Sequence, residues 1–260
     1  MPFAQLEDVQ IHYDLAGPPD APVLVFSNSL GATLAMWDSQ APALQKQFRV
    51  LRYDTRGHGQ SSVTPGPYSI EQLARDVVAL LDELKLERVH FCGLSMGGQT
   101  GMWLALNAPH RLNKLVLSNT AAKIGTPEIW NPRIEAVSKG GMTSISSAVM
   151  ERWFSVEFRA KSPELVATAK RMLESANPEG YLANCAAVRD FDARNAVTAI
   201  KIPTLVIAGT HDAATTPGDG RHLAAHIAGA RYVELDAAHL SNIELPDRYI
   251  SEADSFLLSA

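Results

Sequence analysis

The sequence predicts an α/β fold in which helices cover both faces of a mostly parallel β-sheet. Short apolar runs with the length of strands alternate with longer segments whose apolar residues recur at helical spacing. Several of the short runs are apolar at consecutive positions, which is typical of strands that are buried on both faces of a sheet. Helices between such strands supply the crossover connections that parallel pairing requires.

The first half of the predicted sheet is marked out by turn signals. A strand at 9–15 is followed by the turn residues P-P-D, and the short continuous apolar run at 23–26 is the next strand. The run at 48–53 is closed by D-T-R-G-H-G. A helix is predicted over 70–84, where five aliphatic residues recur at helical spacing. They are Leu73, Val77, Leu80, Leu81 and Leu84.

The second half of the predicted sheet contains four further strands that alternate with helices. The strands are 88–92, 112–118, 202–208 and 231–235. An apolar helix at 96–107 joins the first two of them, and a helical stretch at 222–228 separates the last two.

The segment from residue 124 to residue 197 does not continue this alternation. It contains no convincing buried strand, and it carries helical stretches, a Gly-Gly pair, several prolines and many aromatic residues. We interpret it as a helical insertion that caps the carboxyl ends of the strands, where open α/β sheets bind their ligands. The predicted domains are therefore a core of residues 1–123 and 198–260 and a cap of residues 124–197.

Composition excludes several classes of function. The 260 residues carry a formal net charge of −5 and no basic tract, which argues against a nucleic-acid-binding surface. No apolar run is long enough to span a bilayer, and a signal-peptide pattern is absent, so we expect a cytoplasmic protein. The two cysteines, Cys92 and Cys185, are too few for a disulfide framework. No metal-ligand spacing is present, and we expect neither a metal nor another cofactor. The sequence indicates no oligomeric state.

The most informative short stretch is G-L-S-M-G, residues 93–97, which follows a predicted strand and precedes a predicted helix. In that context G-x-S-x-G is typical of a sharp turn that exposes a nucleophilic serine above the sheet, here Ser95. The amide that follows, on Met96, lies at a helix N-terminus, where developing negative charge is stabilised. The competing interpretation is a glycine-rich turn whose serine only caps the helix.

A serine nucleophile needs a base, and the base needs an acid that orients it. Among the eight histidines we favour His239, because it follows the strand 231–235 on a loop at the carboxyl end. The acid is predicted to be Asp212, which follows the strand 202–208 in G-T-H-D. Asp236 competes with it, because it is close to His239 in sequence. The order serine, aspartate, histidine distinguishes one hydrolase fold from the two other common triad orders.

Five stretches together resemble the α/β-hydrolase fold family over nearly the whole chain. They are V-L-V-F-S-N-S-L-G, D-T-R-G-H-G-Q-S, G-L-S-M-G-G, G-T-H-D and D-A-A-H-L-S-N-I-E-L-P. The resemblance implies a second oxyanion donor at the Leu30 amide, paired with the amide of Met96. Family members commonly carry His-Gly where this chain has Asn28-Ser29, a difference that bears on hydrogen bonding around the loop. A serine at the turn also favours an acyl-enzyme over an alkyl-enzyme route.

Within this family the chain is similar to members that open an enol-lactone during the catabolism of aromatic compounds. That resemblance implies a small anionic lactone as substrate, whose carboxylate requires a cationic partner in a protein of net negative charge. Arg133, Trp153 and Trp130 in the predicted cap are the candidates for binding it, because arginine holds carboxylates bidentately and tryptophan can wall a pocket.

Other functions share the same motifs. A carboxylesterase, a carbon–carbon bond hydrolase and a perhydrolase all fit the predicted triad, and only the chemistry of the cap separates them. A ligand-binding protein without catalytic activity is a further alternative on this fold, since a fold does not determine a function.

Overall fold

A computed structural model describes residues 1–259 of the protein. It contains an eight-stranded sheet in the order β1-β2-β4-β3-β5-β6-β7-β8. Pairing is antiparallel between β1 and β2 and between β2 and β4, and it is parallel across the rest of the sheet. The strands are β1 Phe3–Gln5, β2 Gln10–Ala16, β3 Val23–Ser27, β4 Arg49–Tyr53, β5 Val89–Leu94, β6 Leu112–Ser118, β7 Thr204–Gly209 and β8 Arg231–Leu235. The predicted fold class is confirmed.

Helices cover both faces of this sheet. They are α1 Ala41–Leu44, α2 Ile70–Glu83, α3 Met96–Asn107, α4 Pro127–Gly140, α5 Ser146–Trp153, α6 Val156–Lys161, α7 Pro163–Glu174, α8 Pro178–Asp190, α9 Pro217–His226, α10 Ser241–Glu244 and α11 Pro246–Leu258. Within residues 1–259, none of them combines the length and the apolar character needed to cross a membrane.

The buried core is divided by the sheet into two layers. In β3, Leu24 and Phe26 belong to the layer that also contains Tyr249 of α11, whereas Val25 belongs to the layer that contains Leu80 of α2. Successive side chains of a strand point to opposite faces, so a continuous apolar run is needed where both faces are covered. This is the physical reason why the central strands were recognisable from their composition.

Several element boundaries differ from the sequence prediction for local reasons. Strand β7 begins at Thr204 rather than at residue 202, and Pro203 immediately before it has no N–H for the ladder. Helix α9 begins at Pro217, five residues earlier than predicted, because Thr216 and Asp219 form a capping box. Strand β1 and helices α1, α10 and α11 were not predicted.

The chain between β6 and β7 is helical. Helices α4 to α8 lie there, and no strand occurs in that interval of the described residues. These helices contribute side chains to the same apolar layer as α11, among them Trp130, Val149 and Leu173. The structure thus agrees with a helical insertion, while its treatment as a domain separate from the core stays a prediction.

Candidate active site

Ser95 lies on the turn between β5 and α3, in a backbone conformation that serine rarely adopts. Its φ is 59° and its ψ is −113°, and it is one of three non-glycine residues with positive φ in residues 1–259. Such a conformation costs about 1–3 kcal/mol and is held by surrounding structure. The Ser95 side chain makes no capping hydrogen bond to α3. The interpretation of Ser95 as a helix cap is therefore not supported.

Close packing around the turn explains the glycine two residues after the serine. A Cβ atom added at Gly97 would collide with the carbonyl oxygen of Ser27, at the end of the neighbouring strand β3. The Gly97 N–H donates to the carbonyl of Asn28 at 3.0 Å, and the Ser95 N–H donates to the carbonyl of Ser118 at 3.0 Å. The turn is thus bonded to the strands on both sides, which fixes where the serine stands.

The predicted base and acid, His239 and Asp212, are joined by a hydrogen bond. His239 Nδ1 donates to Asp212 Oδ2 at 2.8 Å, and both side chains are buried. The same carboxylate accepts the N–H groups of Ala214 at 2.8 Å and Thr215 at 3.0 Å and a bond from Asn119 Nδ2 at 3.1 Å. Burial alone would raise the pKa of Asp212, but His239 and these donors hold it below its ordinary value. Asp212 is therefore a stable carboxylate at neutral pH.

The competing acid, Asp236, has a different partner. It accepts a hydrogen bond from Nε2 of His211 at 2.7 Å, and both side chains are exposed. Asp236 therefore does not orient His239, although it stands only three residues before it.

Ser95 and His239 line the same cavity. Because Nδ1 of His239 is bound to Asp212, its Nε2 is the nitrogen left for a partner. In residues 1–259 no hydrogen bond directly joins Ser95 Oγ to His239, and such bonds are often long in ligand-free sites. The arrangement brings together the three side chains of the predicted triad.

The loop after β3 is held in place by Asn28 and by His58. The Asn28 amide donates to the Tyr53 carbonyl at 2.7 Å and accepts from Trp37 Nε1 at 2.9 Å. The Gly31 N–H donates to His58 Nε2 at 2.8 Å. Between these anchors the Leu30 N–H donates to no group in the described chain, and neither does the Met96 N–H at the start of α3. Both amides are thus available for a ligand oxygen, as an oxyanion site requires.

The cavity lies between the strand ends and the helical segment, and its volume is about 130 Å³. One wall consists of Ser29, Leu30, Ser95, Ala213, Ala214 and His239, and the other of Ile124, Gly125, Ile129, Trp130, Arg133, Val149, Arg152, Trp153, Tyr181 and Val188. A cavity of about 150 Å³ holds a benzene ring, so this space suits one small ring compound. The three predicted cap residues Arg133, Trp153 and Trp130 all line it.

Positive charge is concentrated in the wall that the helical segment supplies. Arg133 and Arg152 both line the cavity, neither takes part in a salt bridge within residues 1–259, and no carboxylate side chain of that range lines the cavity with them. Arg133 also lies over the ring of Trp130, with its guanidinium carbon 4.7 Å from the ring centroid. Burial, reinforced by repulsion from Arg133, lowers the pKa of Arg152 to about 10. Two guanidinium groups without counter-ions give this wall a positive charge that can attract an anion.

A larger open groove of about 630 Å³ lies elsewhere, along α6 and the exposed pair of His211 and Asp236. It contains neither Ser95 nor His239, so it does not compete as the place of a triad reaction.

Some residues of the site were not found from the sequence. Arg152 was not predicted, because nothing in its sequence neighbourhood distinguishes it from a solvated arginine. Thr215 and Asn119, which hold Asp212, carry no motif. Tyr181 of α8 lines the cavity, and in the sequence only its aromatic character sets it apart.

Comparison with known proteins agrees with this geometry. The sequence pattern of a family described as alpha/beta hydrolase fold matches residues 22–246. The chain belongs to the alpha/beta hydrolase fold family. Its family membership explains the eight-stranded sheet, the serine turn and the order of Ser95, Asp212 and His239 along the chain.

Several members of this family are similar to the chain over nearly its full length. A 3-oxoadipate enol-lactonase of Acinetobacter baylyi is 44% identical over 94% of this chain and 91% of that protein. The crystal structure of an enol-lactonase from Burkholderia xenovorans LB400 superposes with a TM-score of 0.98 and 48% identity, covering 99% of this chain and 100% of the other. A hydrolase from Pseudomonas aeruginosa PA01 gives a TM-score of 0.96 with 45% identity, over 99% and 98% of the two chains.

Proposed function

We propose that this protein is a serine hydrolase that opens 3-oxoadipate enol-lactone to 3-oxoadipate, a step in the catabolism of aromatic compounds. The observation that carries the proposal is the single small cavity that contains Ser95, the Asp212-bound His239 and two unpaired arginines. The names of the similar proteins support the same substrate. No metal or other cofactor is part of the proposed reaction.

The proposed reaction begins with attack by the serine. His239 Nε2 takes the Ser95 proton while Ser95 Oγ bonds to the lactone carbonyl carbon. The carbonyl oxygen becomes an oxyanion that accepts hydrogen bonds from the N–H groups of Leu30 and Met96. The ring C–O bond then breaks, His239 gives its proton to the departing enol oxygen, and the enol tautomerises to a ketone. Asp212 stabilises the imidazolium of His239 between these two proton transfers.

The second half of the proposed reaction releases the acid. A water molecule gives one proton to His239 and attacks the acyl carbon, and the Leu30 and Met96 amides again hold the oxyanion. The ester bond to Ser95 breaks, and the serine oxygen recovers its proton from His239. The net change is one lactone and one water converted to one keto acid.

The cap wall accounts for the choice of an anionic lactone. A carboxylate on a short chain would reach Arg133 or Arg152 while the ring carbonyl lies at Ser95, because all three line one cavity of about 130 Å³. Trp130 and Trp153 would cover the apolar faces of the ring. We propose on this basis that residues 124–197 act as a cap whose role is to recognise the substrate.

We propose that the enzyme acts in the cytoplasm. Cys92 and Cys185 are both free and buried, which fits a reducing compartment.

The experiment follows the ultraviolet absorbance of the enol-lactone with the wild type and with Ser95→Ala. Loss of the enol absorbance with the wild type alone supports the proposal, and the same rate with both proteins refutes it. A panel of neutral esters on the same triad distinguishes the carboxylesterase alternative. Rapid hydrolysis of neutral esters, with no hydrolysis of the enol-lactone, would assign the protein to the carboxylesterases.

A further inference from the structure

His58 touches the loop that carries one of the two oxyanion donors. It stands in the D-T-R-G-H-G turn after β4, is 2% exposed, and accepts the Gly31 N–H at Nε2 with a distance of 2.8 Å. Gly31 follows Leu30 directly, so the orientation of the Leu30–Gly31 peptide is linked to this bond. The proposed reaction uses the Leu30 N–H, yet it assigns no role to the histidine beneath it.

The ring of His58 has a defined protonation state. Because Nε2 accepts a hydrogen bond from a backbone N–H, that nitrogen carries no proton. In the neutral ring the proton therefore lies on Nδ1, which is 3.3 Å from the side-chain amide nitrogen of Asn184. Burial lowers the pKa of His58 to about 4, although the Arg56 carbonyl and Asp54 act in the opposite direction. His58 is therefore a neutral acceptor at neutral pH.

A residue of the helical segment holds the turn that contains His58. Asn184 of α8 is fully buried, and its amide donates to the carbonyls of Arg56 and Gly180 at 2.8 Å each. Helix α8 lies so close to the turn that a Cβ added at Gly180 would collide with the carbonyl oxygen of Gly57. Helix α8 therefore contacts the turn both through the Asn184 side chain and through its own backbone at Gly180.

We propose that His58 is a positioning residue for the oxyanion site, and that Asn184 ties this position to the docking of helix α8. The chain of contacts runs from α8 through the Asn184 amide, which lies against both the Arg56 carbonyl and the His58 ring, to the Gly31 N–H and so to Leu30. The proposal rests on the proposed function, because it concerns the stabilisation of the oxyanion formed at Ser95.

Loss of the acceptor at position 58 affects the loop because the Gly31 N–H is buried. A buried donor without a partner costs about 1–3 kcal/mol, so the loop gains by rotating the peptide toward another acceptor. Rotation of that peptide moves the neighbouring Leu30 N–H away from the oxyanion. Substrate binding at the arginines of the other wall is unaffected by such a rotation, so kcat falls while KM is retained.

The test compares His58→Leu, which removes the acceptor, with His58→Gln, whose side-chain oxygen can take the place of Nε2. His90→Leu is the matched control, because His90 on β5 is another buried histidine. Its ring packs against Phe48 and does not line the cavity. Active sites are counted by complete labelling of Ser95 with a fluorophosphonate. The values of kcat and KM for the enol-lactone and the rate constant of labelling are then measured per active site.

We expect His58→Leu to lower kcat about 100-fold with KM changed by less than about threefold, the effect of displacing a donor by about 1 Å. His58→Gln should recover to within about fivefold of the wild type, and His90→Leu should match the wild type. Labelling rates should follow the same order, because the phosphonyl oxygen develops charge in the same oxyanion site. A glutamine variant as slow as the leucine variant, or a leucine variant as fast as the wild type, would overturn the proposal.

Asn184→Ala provides a second route should His58→Leu fail to fold. It keeps the histidine and is expected to lower kcat and the labelling rate about tenfold. Unchanged constants in this variant would refute the link to α8. If the wild type does not hydrolyse the lactone but the labelling rates keep the expected order, the proposed substrate fails and the role of His58 stands.

Discussion

Replacement of Asp212 by asparagine is the change whose effect can be worked out most fully from the structure. In the wild type, one carboxylate oxygen accepts the N–H groups of Ala214 and Thr215, and the other accepts His239 Nδ1. An asparagine keeps its carbonyl oxygen on the two backbone donors, because turning its NH2 group toward them would leave both unpaired at about 1–3 kcal/mol each. Its NH2 group then faces His239.

This arrangement forces the wrong tautomer on the histidine. With an amide donor opposite it, His239 Nδ1 must be the unprotonated nitrogen, so its proton moves to Nε2. A protonated Nε2 cannot take the proton of Ser95. The same change in serine-protease triads lowers kcat about 10⁴-fold, or about 5 kcal/mol at 1.36 kcal/mol for each factor of ten. We expect a loss of this size in kcat for Asp212→Asn.

The assay is the rate of disappearance of the enol-lactone absorbance, with thermal unfolding as a check of folding. Asp236→Asn is the matched control, because it makes the same chemical change in the exposed carboxylate that pairs with His211. It is expected to keep kcat within about twofold of the wild type, as surface charge changes away from a site usually do. A kcat for Asp212→Asn within about tenfold of the wild type would refute the reasoning, and an equal loss in both variants would show that the acid was wrongly assigned.

Three further predictions concern the substrate, the serine turn and pH. Arg133→Ala and Arg152→Ala should each raise KM for the anionic lactone about tenfold or more, because each removes a charge-assisted hydrogen bond to the carboxylate. KM for a neutral ester should stay unchanged, and equal increases for both substrates would contradict a carboxylate site. Gly97→Ala should lower the free energy of unfolding in urea by about 3 kcal/mol, because its methyl group collides with the Ser27 carbonyl, and a stability equal to that of the wild type would show that the turn relaxes freely. The pKa of His58 falls from 6.5 to about 4 on folding, so the unfolded chain binds more protons in that range. The part of the unfolding free energy that depends on His58 should therefore decrease by about 3 kcal/mol as pH falls from 6.5 to 4, beside a decrease from His90, whose pKa burial lowers in the same way. In urea titrations His58→Gln should lose the His58 part, and a decrease equal to that of the wild type would exclude His58 as a source.

The parts of the fold that could be predicted are those whose signal is local. The turn at Ser95 was recognisable because a buried strand, small residues and a helix stand next to one another in sequence. Helix α3, strand β6 and strand β8 were predicted with the bounds that the structure shows. Helix α11 was overlooked although Tyr249, Ala253, Phe256 and Leu257 are buried at helical spacing after a proline. Strand β1 has three residues, which is too short for any periodicity to appear.

The parts of the site that could not be predicted depend on packing between distant segments. Asp212 was favoured over Asp236 from its place after a strand, and the structure adds that Asp236 faces outward toward His211. Arg152 reaches the cavity only because α5 packs against the strand ends, which no local pattern specifies. The bond from Gly31 to His58 joins residues 27 positions apart, and the motif around His58 reads as a turn. Sequence order predicted the groups that are proposed to react, and the tertiary structure was needed to propose further groups that bind and position.

The most direct measurement is the mass of the protein quenched within milliseconds of mixing with the enol-lactone. Because the leaving oxygen of a lactone stays attached to the acyl group, an acyl-enzyme carries the full mass of the lactone with nothing lost. The account predicts this adduct on the peptide that contains Ser95, its accumulation in a variant slowed in deacylation, and its absence from Ser95→Ala. Turnover by the variant slowed in deacylation without any adduct, or an adduct on another residue, would contradict this mechanism.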